Sequence, residues 1–393
     1  MAADSIDVFW HPGVLKHDTG RGVFEAAPSP LMAVNEPHPE NADRVRNIHA
    51  VLERGPLKDR IRWHEGRLAD EEELLTFHTA AYIDALRAAD RAGGNRFTES
   101  SPFARGSFDA SRAAAGTALA AMAYLMDGKG RIAYALVRPP GHHAAPEVAD
   151  GYCFFNNTAL AAQLALDRGV HRVAVIDWDV HHGNGTQEGF YQRDDVLTVS
   201  LHMDHGPWGP SHPQTGGADE VGRGRGTGFN LNVPLPMGTG DEGYDRAMGE
   251  LVVPAVDDFR PGMVVVAAGQ DASQFDPNGR QLLTMAGFRR LGRHARVLAD
   301  RHSDGRLLLI QEGGYGLTYT ALCLHATLEG VLGAVPQIED PLAFLPDDPA
   351  PARAAIEAVR KTWYEACAAP GEARRGEGPP PPVSEPKGPR GKA

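Results

Sequence analysis

Cysteine is scarce in this chain: Cys153, Cys323 and Cys367 are the only three in 393 residues. So few, so scattered, they exclude a disulfide framework and a cysteine-rich zinc site. Long apolar runs are missing too, so no segment reads as a membrane span. The start MAADSIDVFWHPG lacks the basic-then-apolar order of a secretion signal. Positive charge is in deficit, with 39 Lys and Arg against 51 Asp and Glu and a formal net charge of −12. That balance gives no general attraction to nucleic acid or anionic lipid. The expectation is a cytoplasmic protein in a reducing compartment, with no nucleic-acid or membrane partner.

Also absent are internal repeats, a serine-nucleophile motif, and any Pro/Gly/Ser-rich linker before the end of the chain. With 42% hydrophobic residues the chain can bury a large core. One domain over residues 1–369 is therefore expected, followed at 370–393 by a disordered tail that carries Pro379 to Pro382 and scattered charges.

What is present is an alternation of strands and helices. Asn41 to Arg54, Glu71 to Arg91 and the Ala-rich Asp109 to Met126 read as helices, the second as one or two. From there the pattern is a strand at Arg131 to Val137, a helix at Asn156 to Arg168, and strands at Arg172 to Trp178, Val196 to His202 and Phe229 to Leu235. A strand at Met263 to Ala268, a helix at Gly287 to Arg301 and a strand at Arg306 to Gln311 complete it. Such a pattern predicts an α/β fold with a mainly parallel central sheet flanked by helices on both faces. The loops after the strands would then share one edge, which is where α/β proteins place their chemistry. The segment Gly222 to Gly228 is Gly-rich but precedes a strand instead of opening a helix, so it reads as a bend, not a phosphate loop.

The densest chemistry lies at the end of one apolar strand, in RVAVIDWDVHHGNGT, residues 172–186. Side chains two apart on an extended segment share a face, so Asp177, Asp179 and His181 are expected to converge. Two acids and an imidazole together are costly unless a cation compensates them, and oxygen plus nitrogen donors suit Zn²⁺. The plainer alternative is a solvated strand end with a capped loop at Gly183-Asn184-Gly185. Asp271, just after another apolar strand, is a candidate third ligand, or else a helix N-cap. His142 and His143 follow Pro139-Pro140-Gly141 on a stiff turn. Paired imidazoles can divide their work, one as base and one as fixed positive charge. Tyr315, after Gly313-Gly314, could donate to a carbonyl oxygen that gains charge, or could simply wedge against the core.

Taken together, RPPGHHA at 138–144, GYCFFNN at 151–157, VIDWDVHHGNGTQ at 175–187, VLTVSLH at 196–202, GQDAS at 269–273 and QEGGY at 311–315 resemble the histone deacetylase family. The likeness is to its class II and bacterial amidohydrolase branches, within the arginase/deacetylase-like fold, and runs from about His11 to Gly333. It implies a zinc-dependent amidohydrolase that removes acetyl or larger acyl groups from acyl-lysine or related amines. By resemblance, Asp179, His181 and Asp271 hold catalytic zinc, and His143 is the base and later acid. His142 with Asp177 is its electrostatic partner, and Tyr315 polarises the carbonyl. Asp177, Ser200 and Leu201, with main-chain oxygens of Asp179 and His181, match a structural potassium site.

Departures fall at the substrate channel, where Gly151, Tyr152, Trp208, Gly209, Gln270 and Asn278 are the expected lining. Gly209 and Gln270 stand where many members carry aromatic rings, which implies a wider or more polar channel. Asn278 stands where a polyamine-selective relative carries an acid. Deacetylation of an acetylpolyamine or other small metabolite is the alternative reading, and a non-catalytic acyl-lysine binding module a weaker one. An arginase-like dimanganese site is disfavoured, since Asp271 and Asp276 lack the closely spaced acids of a two-metal bridge. Self-association into a homo-oligomer is a further expectation.

Overall fold

The computed structural model of the chain describes residues 5–22, 29–98, 100–205, 215–343 and 346–368. Trp208, Gly209 and the expected tail at 370–393 lie outside them. Strands in chain order are β1 (Ile6–Trp10), β2 (Ile61–Glu65), β3 (Gly94–Arg96), β4 (Pro102–Ala104) and β5 (Ile132–Leu136). They continue as β6 (Val173–Asp177), β7 (Val196–Asp204), β8 (Asn230–Pro236), β9 (Met263–Ala268) and β10 (Leu307–Gln311). Eight of them form one sheet in the order β2-β1-β5-β10-β9-β6-β7-β8, and β3 pairs with β4 in a separate hairpin. Every pair in the large sheet is parallel.

Parallel strands covered on both faces need apolar side chains on both faces, and the inner strands supply them. Along β6, Ala174 and Ile176 enter one core layer while Val173 and Val175 enter the other. The first layer is closed by the helices Asp43–Arg54, Met285–His302 and Leu317–Val331. Behind the other face lie Ser107–Met126 and Asn157–Asp167, whose small residues let the helices sit close to the sheet. Helix Ser107–Met126 is buried on nearly every side, which is why its Ala-rich composition carries so little amphipathic contrast.

Several elements escaped the sequence pattern. Strand β2 mixes charge with two large apolar residues because it is a sheet edge, half exposed. Helix Pro349–Ala368 covers the opposite edge, setting Ile356, Val359 and Trp363 into the core beside β8. The segment 241–259 is a helix with a π turn at Met248–Val252, two residues before Pro254, which has no N–H to give to a helical ladder. Among the described residues no helix is long and apolar enough to cross a membrane.

Candidate active site

Strands β5, β10, β9 and β6 are consecutive neighbours, so their carboxyl ends deliver four loops to one place. Strand β6 ends at Asp177. Strict alternation therefore stops there, and the expected convergence of Asp177, Asp179 and His181 on one point does not occur. Asp177 turns to His142, its Oδ2 lying 2.8 Å from Nδ1, and its Oδ1 accepts the Asp179 N–H at 3.0 Å. Asp179 and His181 instead join Asp271, which follows β9. His181 Nδ1 lies 3.1 Å from Asp179 Oδ1 and 3.2 Å from Asp271 Oδ2.

This trio is a donor set that could hold a metal ion. One ligand atom from each residue lies within 4.8 Å of the others. Asp179 and Asp271 are fully buried. Asp271 Oδ1 accepts the Val180 N–H at 2.8 Å, while its Oδ2, sealed from solvent, faces His181 Nδ1. Burial and the adjacent Asp179 push Asp271 up to about 8. Burial opposes a charge on His181, but hydrogen bonds to the two carboxylates raise it to about 10. Two buried acids and an imidazole converging on one point match the oxygen and nitrogen preference of a zinc site with an open position.

Beside the trio stand the paired histidines, on a turn that follows β5 and opens on a cis Arg138–Pro139 bond. Their rings are 4.0 Å apart. Burial disfavours a charged His142, yet Asp179 and Asp177 outweigh it and raise the imidazole well above its ordinary 6.5. His143, by contrast, is partly exposed to the opening and is pushed well below 6.5 by burial and by the charges of His142 and His181. Its Nδ1 lies 2.5 Å from Asn184 Oδ1, an acceptor that fixes the ring proton on Nδ1 and leaves Nε2 free to take one. Gly151 packs so tightly on this ring that an added Cβ would lie 2.2 Å from His143 Cδ2.

Tyr315 closes the other side. Its N–H donates to Asp276 Oδ2 at 2.6 Å, and the Arg44 guanidinium lies over its ring at 4.5 Å. Burial keeps the phenol well above its usual range despite Arg44, so it remains an O–H donor. Tyr152, at φ +68°, sets its ring edge-on to Tyr315 at 5.8 Å and to His38 at 4.9 Å. Asn278 Nδ2 donates to the Tyr152 hydroxyl at 3.3 Å, so this amide steadies the channel wall.

One expected lining residue lies elsewhere. Gln270 is fully buried. Its Nε2 donates to Ala268 O at 2.6 Å, and its Oε1 accepts from Gln311 at 2.9 Å. The reason is its place directly at the end of β9, where the side chain turns under the sheet edge into a polar network and not toward substrate. Ser200 stands in register with Asp177 on β7, and both border a cavity of about 10 Å³, room for one small particle. Leu201, Asp179 and His181 are not among that cavity's lining residues. Sequence reasoning passed over Asn184, Asp276, Arg44 and Glu312. Glu312 had a visible signal, an acid directly after an apolar strand; Arg44 had none, being one arginine on an amphipathic helix.

Geometry and fold define an α/β protein that carries a candidate metal centre at the carboxyl edge of its parallel sheet. Comparison with known proteins makes the class specific. The histone deacetylase domain matches residues 38–331. Histone deacetylase 8 of Arabidopsis thaliana is 57% identical over 368 residues, covering 93% of this chain and 97% of that protein. The histone deacetylase-like amidohydrolase of Pseudomonas aeruginosa is 43% identical, over 78% of this chain and 80% of its own. A crystal structure of the HDA15 HD domain superposes with a TM-score of 0.78 at 33% identity, covering 92% of this chain and 95% of that one. The chain belongs to the histone deacetylase family and is an enzyme that hydrolyses amide C–N bonds.

Proposed function

We propose that this enzyme is a zinc-dependent deacylase that removes acetyl or a related acyl group from acylated lysine. The observation that carries the reading is the Asp179–His181–Asp271 set, two buried acids and an imidazole converging within 4.8 Å, beside a neutral His143 and a protonated Tyr315. Zinc held by those three residues supplies Lewis acidity toward the amide carbonyl and makes water more acidic. His143 Nε2 takes a proton from the attacking water while Asn184 holds the ring. The Tyr315 O–H donates to the carbonyl oxygen as negative charge builds on it. His142, kept cationic by Asp177 and Asp179, stabilises the same charge, and His143 returns its proton to the leaving amine.

Asn278 brings no charge to the entrance, which favours an acyl-lysine peptide over a cationic acetylpolyamine. We assign potassium to Asp177 and Ser200, with Leu201 and the main-chain oxygens of Asp179 and His181. The register of Ser200 with Asp177, and the small cavity both border, support the Asp177 and Ser200 part of that site.

The test is hydrolysis of an acetyl-lysine and a trifluoroacetyl-lysine peptide before and after a strong chelator, with acetylputrescine as a third substrate. Activity lost on chelation and restored by one equivalent of zinc is expected, with the peptides preferred. Turnover that survives complete metal removal defeats the metal mechanism, and a preference for acetylputrescine reverses the substrate assignment.

A further inference from the structure

We infer that Glu312 is a positioning residue, which fixes the turn bearing His142 and His143 to the strand end bearing Tyr315. The inference rests on the roles proposed above for those three side chains. Glu312 is the first residue beyond β10, and β10 is the sheet neighbour of β5, from which the His142-His143 turn emerges. Its carboxylate, 1% exposed, reaches across that gap. Oε2 accepts the Gly141 N–H at 2.7 Å and the His142 N–H at 3.2 Å, while Oε1 accepts the Thr158 hydroxyl at 3.1 Å. Two consecutive main-chain N–H groups on one oxygen leave the turn little freedom to rotate, so the placement of both imidazoles follows from this contact.

The main chain at the same position faces the rest of the site. Glu312 O accepts from Arg44 Nη2 at 2.7 Å, and Arg44 Nε also donates to Gly314 O. Next along the chain, the Gly313 N–H donates to Asp179 Oδ2 at 2.7 Å, and any side chain there would collide, since an added Cβ would lie 2.1 Å from Asp271 Oδ2. Residues 312–315 thus form one rigid segment, touching the metal set through Gly313, the histidine turn through the Glu312 side chain, and the phenol through Tyr315 itself. Removing the carboxylate disconnects the histidine turn and Thr158 from it, and leaves the Gly313 and Tyr315 contacts in place.

A carboxylate that only stabilised the fold would change melting and leave turnover of the folded protein alone. The alternative outcomes separate on two variants. Glu312→Ala frees the two N–H groups. Glu312→Gln keeps an oxygen for them and can donate its amide to Thr158, so it preserves the hydrogen bonds without the charge.

With zinc content checked by elemental analysis and measurements made well below the melting temperature, Glu312→Ala is expected to lower kcat about 100-fold, as misplacement of reacting groups by about 1 Å does. KM should change less than about threefold, because Tyr152 and Asn278 stay in place, and Glu312→Gln should recover most of kcat. A folded, zinc-loaded Glu312→Ala enzyme with wild-type kcat overturns the inference, as does a Glu312→Gln variant as impaired as the alanine one. If the wild type itself turns over without metal, the functional reading fails, and that result is distinct from either.

Discussion

At the scale of single residues, the site works by keeping chemically similar groups in different states. His142 and His143 are adjacent in sequence and 4.0 Å apart as rings, yet one is driven toward its cation and the other away from it. The difference lies in the charges nearby: the Asp179 and Asp177 carboxylates overcome burial at His142, while burial and the cationic His142 and His181 hold His143 neutral. Tyr315 is likewise held as a neutral donor by burial. Replacing Tyr315 with Phe removes the hydroxyl and leaves the ring under Arg44, so folding should be intact. The kcat for the acetyl-lysine peptide should fall by about 10²–10³, the effect of losing one donor to a developing oxyanion. Steady-state kinetics together with an unchanged thermal melt check this.

At the scale of elements, the sheet ends matter more than the strands. The strands fill two largely apolar core layers, while the metal-binding set, the paired histidines and Tyr315 lie on loops that leave the carboxyl ends of β5, β6, β9 and β10. Edges are the sheet's weak points, and β8 is protected by helix Pro349–Ala368. Trp363 anchors that helix at 6% exposure. Trp363→Ala should cost about 3 kcal/mol by the usual penalty for emptying a buried aromatic position, read as a lower urea midpoint at an unchanged slope. Because the helix lies behind β8 and far along the sheet from β5 and β10, kcat of the folded variant should stay at the wild-type level.

The whole molecule carries an acid sensitivity that no one element explains. Burial, aided by Arg138, lowers His17 to about 3, and burial lowers His78 to about 4, both from the ordinary 6.5. His78 must stay neutral because its Nε2 accepts the Asn156 N–H at 2.9 Å. Below pH 6.5 the unfolded chain binds these protons and the folded chain does not. Stability present at neutral pH is therefore lost as the pH falls toward 4, at about 1.4 kcal/mol per pH unit for each histidine. Urea unfolding at pH 7 and pH 5 should show the loss, and His78→Gln, which retains an acceptor for Asn156, should reduce the pH slope. A slope unchanged by that substitution would contradict the assignment.

Much of this was legible in the sequence, because strands and helices announce themselves through apolar period and the family's motifs are local. RPPGHHA, DWDVHH, GQDAS and QEGGY each mark a loop after a strand, and each loop reaches the same sheet edge. Local pattern could not see the edge strand β2 or helix Pro349–Ala368, whose residues are chosen by what covers them. It also extended alternation past Asp177, where the strand had ended, and put Gln270 at the channel, where packing turned it inward.

By itself, then, the sequence determined which groups of chemistry exist and at which strand ends they emerge, since side-chain period and turn residues act over a few positions. Only the tertiary structure decided which of them meet. The order β5-β10-β9-β6 brings Glu312 to His142 and Gly313 to Asp179 across 170 and 134 positions of chain. Contacts of that span depend on which strands pair and how their cores pack, and no local pattern encodes them.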